Sequence, residues 1–217
     1  MNKDEVIKTI RDVGIIPVVR ARSADEAIMA IDAIREGGVS LLEITMTVPG
    51  AVGLIEKLAK RYGSEALVGA GTVLDGETAR ACIQAGAQFV VSPSLNLETI
   101  EVCRRHDVAV LPGALTPTEV VQAWSAGADF VKVFPAGAVG GATYIKSLKA
   151  PLPQIELVPT GGVSLKTAAD FIKAGASALG VGTDLVDLQA LREGRQQIIT
   201  ERARAFLRIV HETRIYS

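Results

Sequence analysis

At 217 residues, 48% hydrophobic but only 4% aromatic, the chain has material for one domain with an aliphatic core. Its 23 basic and 24 acidic residues leave a net charge of −1, which argues against nucleic acid as a partner but leaves room for a local site for a small anion. No uncharged apolar run approaches the ~18 residues that would cross a bilayer, and the start MNKDEVIKTI has no apolar signal segment, so a cytoplasmic protein without membrane contact is expected.

Short apolar runs alternate with amphipathic stretches along the whole chain. Eight runs read as strands: Ile15–Arg20, Ser40–Thr45, Leu67–Gly71, Gln88–Ser92, Val108–Leu111, Asp129–Phe134, Glu156–Thr160 and Ser177–Val181. Most are rich in Val, Ile or Leu and bounded by Gly, Pro or Ser, as strands buried on both faces should be. Between them, Ser23 with Glu26 and Thr116 with Glu119 read as capping boxes, the second with Pro117 at the first helical position. Asp75 and Ser164 are further N-cap candidates. Gly38, Gly86, Gly127 and Gly175 recur in EGGVSLLEI, AGAQFVVSP, AGADFVKVF and AGASALGVG, each stopping a helical pattern before a strand. Gln196–Ile215 reads as a last amphipathic helix. The alternation predicts an α/β fold, a single (β/α)₈ TIM barrel with a parallel eight-stranded core over residues 1–217. A doubly wound open sheet is the alternative.

In such barrels reactive groups sit at the C-terminal ends of the strands and in the loops that follow. The polar or conformationally special residues there are Arg20, Glu43, Thr72, Ser92, Pro93 and Lys132. Lys132, in FVKVF, is the only lysine in a predicted strand. Burial without a partner favours its neutral amine, the form that attacks a carbonyl; pairing with a buried acid is the structural alternative. Glu43 shares a strand face with Thr45, opposite Leu42 and Ile44. A buried carboxyl suits the proton transfers of imine formation and carbon–carbon cleavage, and an ion pair with Arg20 is the structural alternative. Gly161 and Gly162 follow the seventh run, and Gly182 and Thr183 the eighth, where free backbone N–H groups form the recurrent phosphate site of this fold. VGAGTV lacks the third glycine of a dinucleotide fingerprint. His106 and His211 are isolated, and Cys82 and Cys103 lack metal-ligand spacing, so no metal or other cofactor is expected and the thiols read as reduced and partly buried.

Over nearly the whole chain, PVVRA, LLEITMTVPGA, VGAGTV, VVSPSLN, PGALTPTE, FVKVFPA, PTGGV and GVGTDL fall in the order and spacing of one family. The sequence resembles the 2-keto-3-deoxy-6-phosphogluconate (KDPG) aldolases, which also cleave 4-hydroxy-2-oxoglutarate (KHG). The resemblance implies a metal-free homotrimer with Lys132 as the Schiff-base lysine and Glu43 as the catalytic glutamate. It also implies that Thr72 and Pro93 line a pyruvate pocket, that Arg20 is a strand-1 basic residue of the substrate pocket, and that Gly161, Gly162 and Thr183 bind phosphate. One departure is Thr47, at a position where some members carry an arginine that contacts the pyruvoyl carboxylate and others a small polar residue.

The implied activity is that of a class I aldolase acting on a phosphorylated 2-keto acid. It would cleave KDPG to pyruvate and glyceraldehyde 3-phosphate, and KHG to pyruvate and glyoxylate. The alternatives are a phosphogalactonate aldolase of opposite C4 stereochemistry, a sugar-phosphate isomerase that would need no strand lysine, and a non-catalytic sugar-phosphate-binding barrel.

Overall fold

In a computed structural model, which describes residues 1–215, the glycine stops do what their sequence context predicts. Helices α2 (Ala24–Glu36), α4 (Gly76–Gln84), α6 (Pro117–Ser125) and α8 (Ala168–Lys173) each run into a glycine with φ between +93° and +100°, namely Gly38, Gly86, Gly127 and Gly175. A side chain is strained in this left-handed region, and the reversal points the chain back into the sheet. The strands so launched are β2 (Leu41–Thr45), β4 (Phe89–Val91), β7 (Val131–Val133) and β9 (Leu179–Val181).

The remaining strands are β1 (Ile15–Val19), β3 (Leu67–Gly71), β5 (Ala109–Leu111), β6 (Gly113–Ala114) and β8 (Leu157–Pro159). All named pairings are parallel: a curled six-stranded sheet in the order β5-β4-β3-β2-β1-β9, and a three-stranded sheet β6-β7-β8. This differs from eight strands in one continuous ladder. The predicted strand ends at Leu111 as expected, but after Pro112, which has no N–H to give, the chain resumes as the separate short strand β6. On one side β5 pairs with β4, and on the other β6 pairs with β7. At the other junction a single bridge, Thr160 to Gly180, lies between β8 and β9.

Helices α1 (Lys3–Val13), α3 (Ala51–Tyr62), α5 (Leu97–Arg105), α7 (Ala142–Lys149), α9 (Leu188–Arg192) and α10 (Gln197–Ile215), with a 3₁₀ turn at Ala136–Val139, complete the fold. The Thr116–Glu119 capping box forms in full. Ser23 caps the Glu26 N–H, but the Glu26 carboxylate accepts from Arg22 N instead of closing the box. Asp75 caps Thr78 as expected. Ser164 caps nothing: α8 starts only at Ala168, and the Ser164 N–H is itself taken by the Thr167 hydroxyl at 2.9 Å. Every strand residue is buried, and the core between strands and helices is almost wholly Val, Ile, Leu and Ala, as the low aromatic content requires. Among the described residues no helix is long and apolar enough to cross a membrane.

Candidate active site

β2 and β7 each carry one charged residue in an otherwise apolar run. Glu43 is 2% exposed and Lys132 3% exposed. The Lys132 ammonium has no hydrogen bond or ion pair among the described residues and lies over the Phe134 ring, 5.6 Å from Nζ to the centroid. Glu43 Oε1 is fully buried and also without a hydrogen-bond partner. Burial pushes the Glu43 carboxyl above its ordinary range, while the positive charges of Lys132 and then Arg20 pull the other way. Neither cation forms an ion pair with it, so both pairings that would have made these residues purely structural are missing among the described residues. Two buried polar groups held near one another with unmet hydrogen-bonding capacity suit a site that expects a ligand or water between them.

A cleft of about 270 Å³ opens beside them, lined by Arg20, Phe134, Thr160, Gly161, Gly162, Ser164, Gly182, Thr183 and Asp184 among others. It gathers five residues that the sequence singled out from three separate segments: Arg20 after β1, Gly161 and Gly162 after β8, Gly182 and Thr183 after β9. Gly161 and Gly162 have φ of +86° and +77°, and no intramolecular acceptor among the described residues takes the N–H groups of Gly162, Val163, Thr183 or Asp184. Consecutive free N–H groups of this kind form an anion-binding nest. Arg20 makes no ion pair among the described residues, and its Nη1 lies 3.6 Å from where a Cβ on Gly182 would stand, so an unpaired cation faces the same space.

Lys132 and Glu43 do not line this cleft. Phe134 joins the two parts, one face toward the Lys132 ammonium and the ring at the cleft wall. Thr72 directly follows β3 and adopts φ of 57°, unusual for a β-branched residue and a form of strain that clusters at functional sites. Pro93 follows Ser92 at the end of β4 and is partly buried, with the Ser92 hydroxyl bonded to Ser94 O at 2.8 Å. Thr47 lies outside the cleft, in a shallow hollow with Met46, Val48, Pro49 and Gly50. Its hydroxyl is 2.6 Å from that of Thr45, which donates to Val19 O. Since the Thr45 proton is committed to Val19, the Thr47 proton goes to Thr45. Sequence reasoning missed Phe134, Thr160 and Asp184 as lining residues. Their signal was available, since Phe134 and Thr160 each end a predicted strand and Asp184 lies in the loop after the eighth.

The sequence matches the family described as KDPG and KHG aldolase over residues 6–202. The chain belongs to this aldolase family. Among its relatives are the 2-dehydro-3-deoxy-6-phosphogalactonate aldolase of Escherichia coli K12, 37% identical over 79% of this chain and 83% of that one. The 2-dehydro-3-deoxy-phosphogluconate aldolase of Treponema pallidum is 32% identical over 94% of this chain and 97% of its own. The KDPG aldolase of Legionella pneumophila, solved with pyruvate captured as a covalent carbinolamine, superposes with a TM-score of 0.85 at 27% identity, covering 92% of this chain and 97% of that one.

Cys82 and Cys103 are both buried and unpaired, and burial raises their thiols to about 11 and about 12. They are poor nucleophiles at neutral pH.

Proposed function

We propose that this aldolase works through a Schiff base on Lys132, with Glu43 carrying protons, and that its main substrate is KDPG, with KHG a second. The observation that carries the reading is the buried, unpartnered lysine beside a buried carboxyl with a free oxygen. The Lys132 amine attacks C2 of the 2-keto acid to give a carbinolamine. Glu43, whose neutral form burial favours, gives its proton to the departing hydroxyl, and water leaves as the imine forms. Glu43, now a carboxylate, takes the C4 hydroxyl proton directly or through a water. The C3–C4 bond breaks, its electrons pass to the iminium as an enamine, and the aldehyde departs. Protonation at C3 and hydrolysis return pyruvate and free Lys132.

Thr72 and Pro93 would flank the pyruvoyl group. The N–H groups of Gly161, Gly162 and Thr183, with Gly182 giving close approach and Arg20 its charge, would hold the phosphate. The same reading takes residues 1–217 as one domain and the two sheets as a closed (β/α)₈ barrel. The Thr160–Gly180 bridge and the Lys132 N to Pro112 O bond at 2.9 Å support closure at the two weak seams. A homotrimer is proposed from the family resemblance, and exposed Val121 and Trp124 on α6 are the sort of apolar surface a subunit contact covers. The phosphogalactonate substrate is the second reading, favoured by the 37% identity to that aldolase.

The test is incubation with pyruvate and borohydride, followed by peptide mapping. One reduced pyruvyl adduct per chain on the peptide containing Lys132 is the expected result. An adduct on Lys146 or Lys149, or none, would overturn the assignment. A cleavage assay on KDPG, its galactonate epimer and KHG, coupled to pyruvate detection, decides the substrate.

A further inference from the structure

The VGAGTV segment, which matched no nucleotide fingerprint, ends β3 directly against Glu43. Register sets Glu43 beside Gly69 and Thr45 beside Gly71. Gly71 does not occupy the left-handed region, so its conformation does not call for glycine. Space does. A Cβ on Gly71 would stand 2.6 Å from Glu43 Cγ and 2.7 Å from Cδ, and closer still to Oε1, the same buried oxygen that has no hydrogen-bond partner. Gly69, on the same face of the strand, leaves room for a core ring instead: its Cβ would stand 2.5 Å from Phe89 Cδ2.

The strand cannot retreat to admit a methyl group at 71. Its carbonyl accepts the Met46 N–H at 2.8 Å, its ladder partner is Thr45, and the next residue, Thr72, already holds a strained left-handed turn. A methyl there must move the carboxylate.

We propose that Gly71 is a positioning residue for the aldol reaction: its bare Cα is the floor on which the Glu43 carboxylate lies, with Oε1 turned to where substrate oxygen or water must meet it. This rests on Glu43 being the proton carrier. Gly71→Ala displaces that oxygen while leaving the lysine and the phosphate cleft in place.

The experiment measures borohydride trapping of pyruvate and kcat for KDPG cleavage in Gly71→Ala, Glu43→Gln and the double variant, with inorganic phosphate binding as a check on the cleft. Gly71→Ala is expected to slow trapping and kcat by about 10²-fold, within the range for a misplaced acid/base, with phosphate affinity unchanged. In the Glu43→Gln background Gly71→Ala adds no further loss, because the proton carrier is already gone. For folding, Gly71→Ala lowers the Tm, and Glu43→Ala in the same chain restores it by vacating the space the methyl needs. Wild-type trapping by Gly71→Ala, with Glu43→Gln slow, overturns the positioning role and leaves Glu43 standing. Wild-type trapping by Glu43→Gln overturns the role of Glu43 and the inference with it. A Gly71→Ala chain that unfolds and is not rescued by Glu43→Ala also overturns it, since the methyl then collides with something else.

Discussion

At the N-terminal ends of the strands, polar groups end on partners. Lys3 pairs with Asp129 at 2.9 Å, and Asp129 also accepts the Val110 N–H. Arg11 pairs with Glu156 at 3.1 Å and lies over the Phe130 ring. Arg214, near the end of α10, donates to the carbonyls of Arg11, Asp12 and Ser177 at 2.7, 3.1 and 2.7 Å, tying the last helix to the first. At the C-terminal ends the pattern inverts: the Lys132 ammonium, one oxygen of Glu43, the Arg20 guanidinium and four backbone N–H groups make no hydrogen bond or ion pair among the described residues. Two lysines make the contrast compact. Lys149 is partly buried, and its ammonium donates to Pro153 O and Ile155 O; Lys132 is more deeply buried, and its ammonium donates to nothing among the described residues. Both lose hydration, but only the first recovers it from the protein, so the first is structure and the second fits the reactive amine proposed above.

The largest expected effect is at Glu43. Glu43→Gln should lower kcat by ~10²–10⁴-fold, as for a lost general acid/base, measured by pyruvate release. The same variant sharpens the contrast through stability. The Glu43 carboxyl is raised above its ordinary value of 4.5 in the folded protein, so the folded chain holds its proton longer than the unfolded one. Wild-type stability is therefore fully present below about 4.5 and falls as pH rises toward the raised value. Glu43→Gln, which has no proton to lose, should gain on the wild type across that window and not below it, as followed by Tm against pH. An equal difference at all pH values would contradict the burial argument.

Next in size is the phosphate cleft. KDPG should exceed KHG in kcat/KM by roughly 10- to 150-fold, the worth of one charge-assisted contact of about 1.5–3 kcal/mol. Thr47→Arg should narrow the gap by helping KHG more, because arginine offers a carboxylate two donors where the Thr47 proton is already committed to Thr45. Equal efficiency on both substrates in the wild type would show that the open N–H groups contribute little.

The smallest effect on catalysis is at the closed end. Arg214→Ala should cost roughly 2–3 kcal/mol in urea unfolding, since a charged donor to three carbonyls is lost, and leave kcat at the wild-type value. Loss of activity in the folded variant would mean that the two ends are not separable as described.

Much of this was legible in the sequence, for physical reasons. A lone Lys or Glu in an aliphatic run is conspicuous because burial makes it costly, and the recurring glycine stops stand out because only a left-handed residue turns a helix back so sharply. The break at Pro112 was legible in principle, yet a run ending in Leu111 reads as complete without asking which neighbour lacks a donor. Ser164 misled because a cap is defined by where the helix begins, which tertiary contacts shifted to Ala168. Gly71 was beyond reach, because it matters for the space above it, and Thr72 was named for its place after β3 but not for its dihedral angle, which its residue type disfavours.

The loop after β7 comes very close to the loop after β8: Ala136 and Gly137 donate to Thr160 O and Gly161 O, each at 2.9 Å, and a Cβ on Gly162 would stand 2.7 Å from Gly137 Cα. This backbone-to-backbone seat has a consequence for anyone who would redesign the enzyme. In a randomised library, positions 137 and 162 should return glycine almost alone, and no single substitution there can be compensated by repacking a side chain, because there is none to repack. New aldehyde preferences must be sought at Ser164, Thr183 and Asp184, which line the same cleft and carry side chains that can be exchanged.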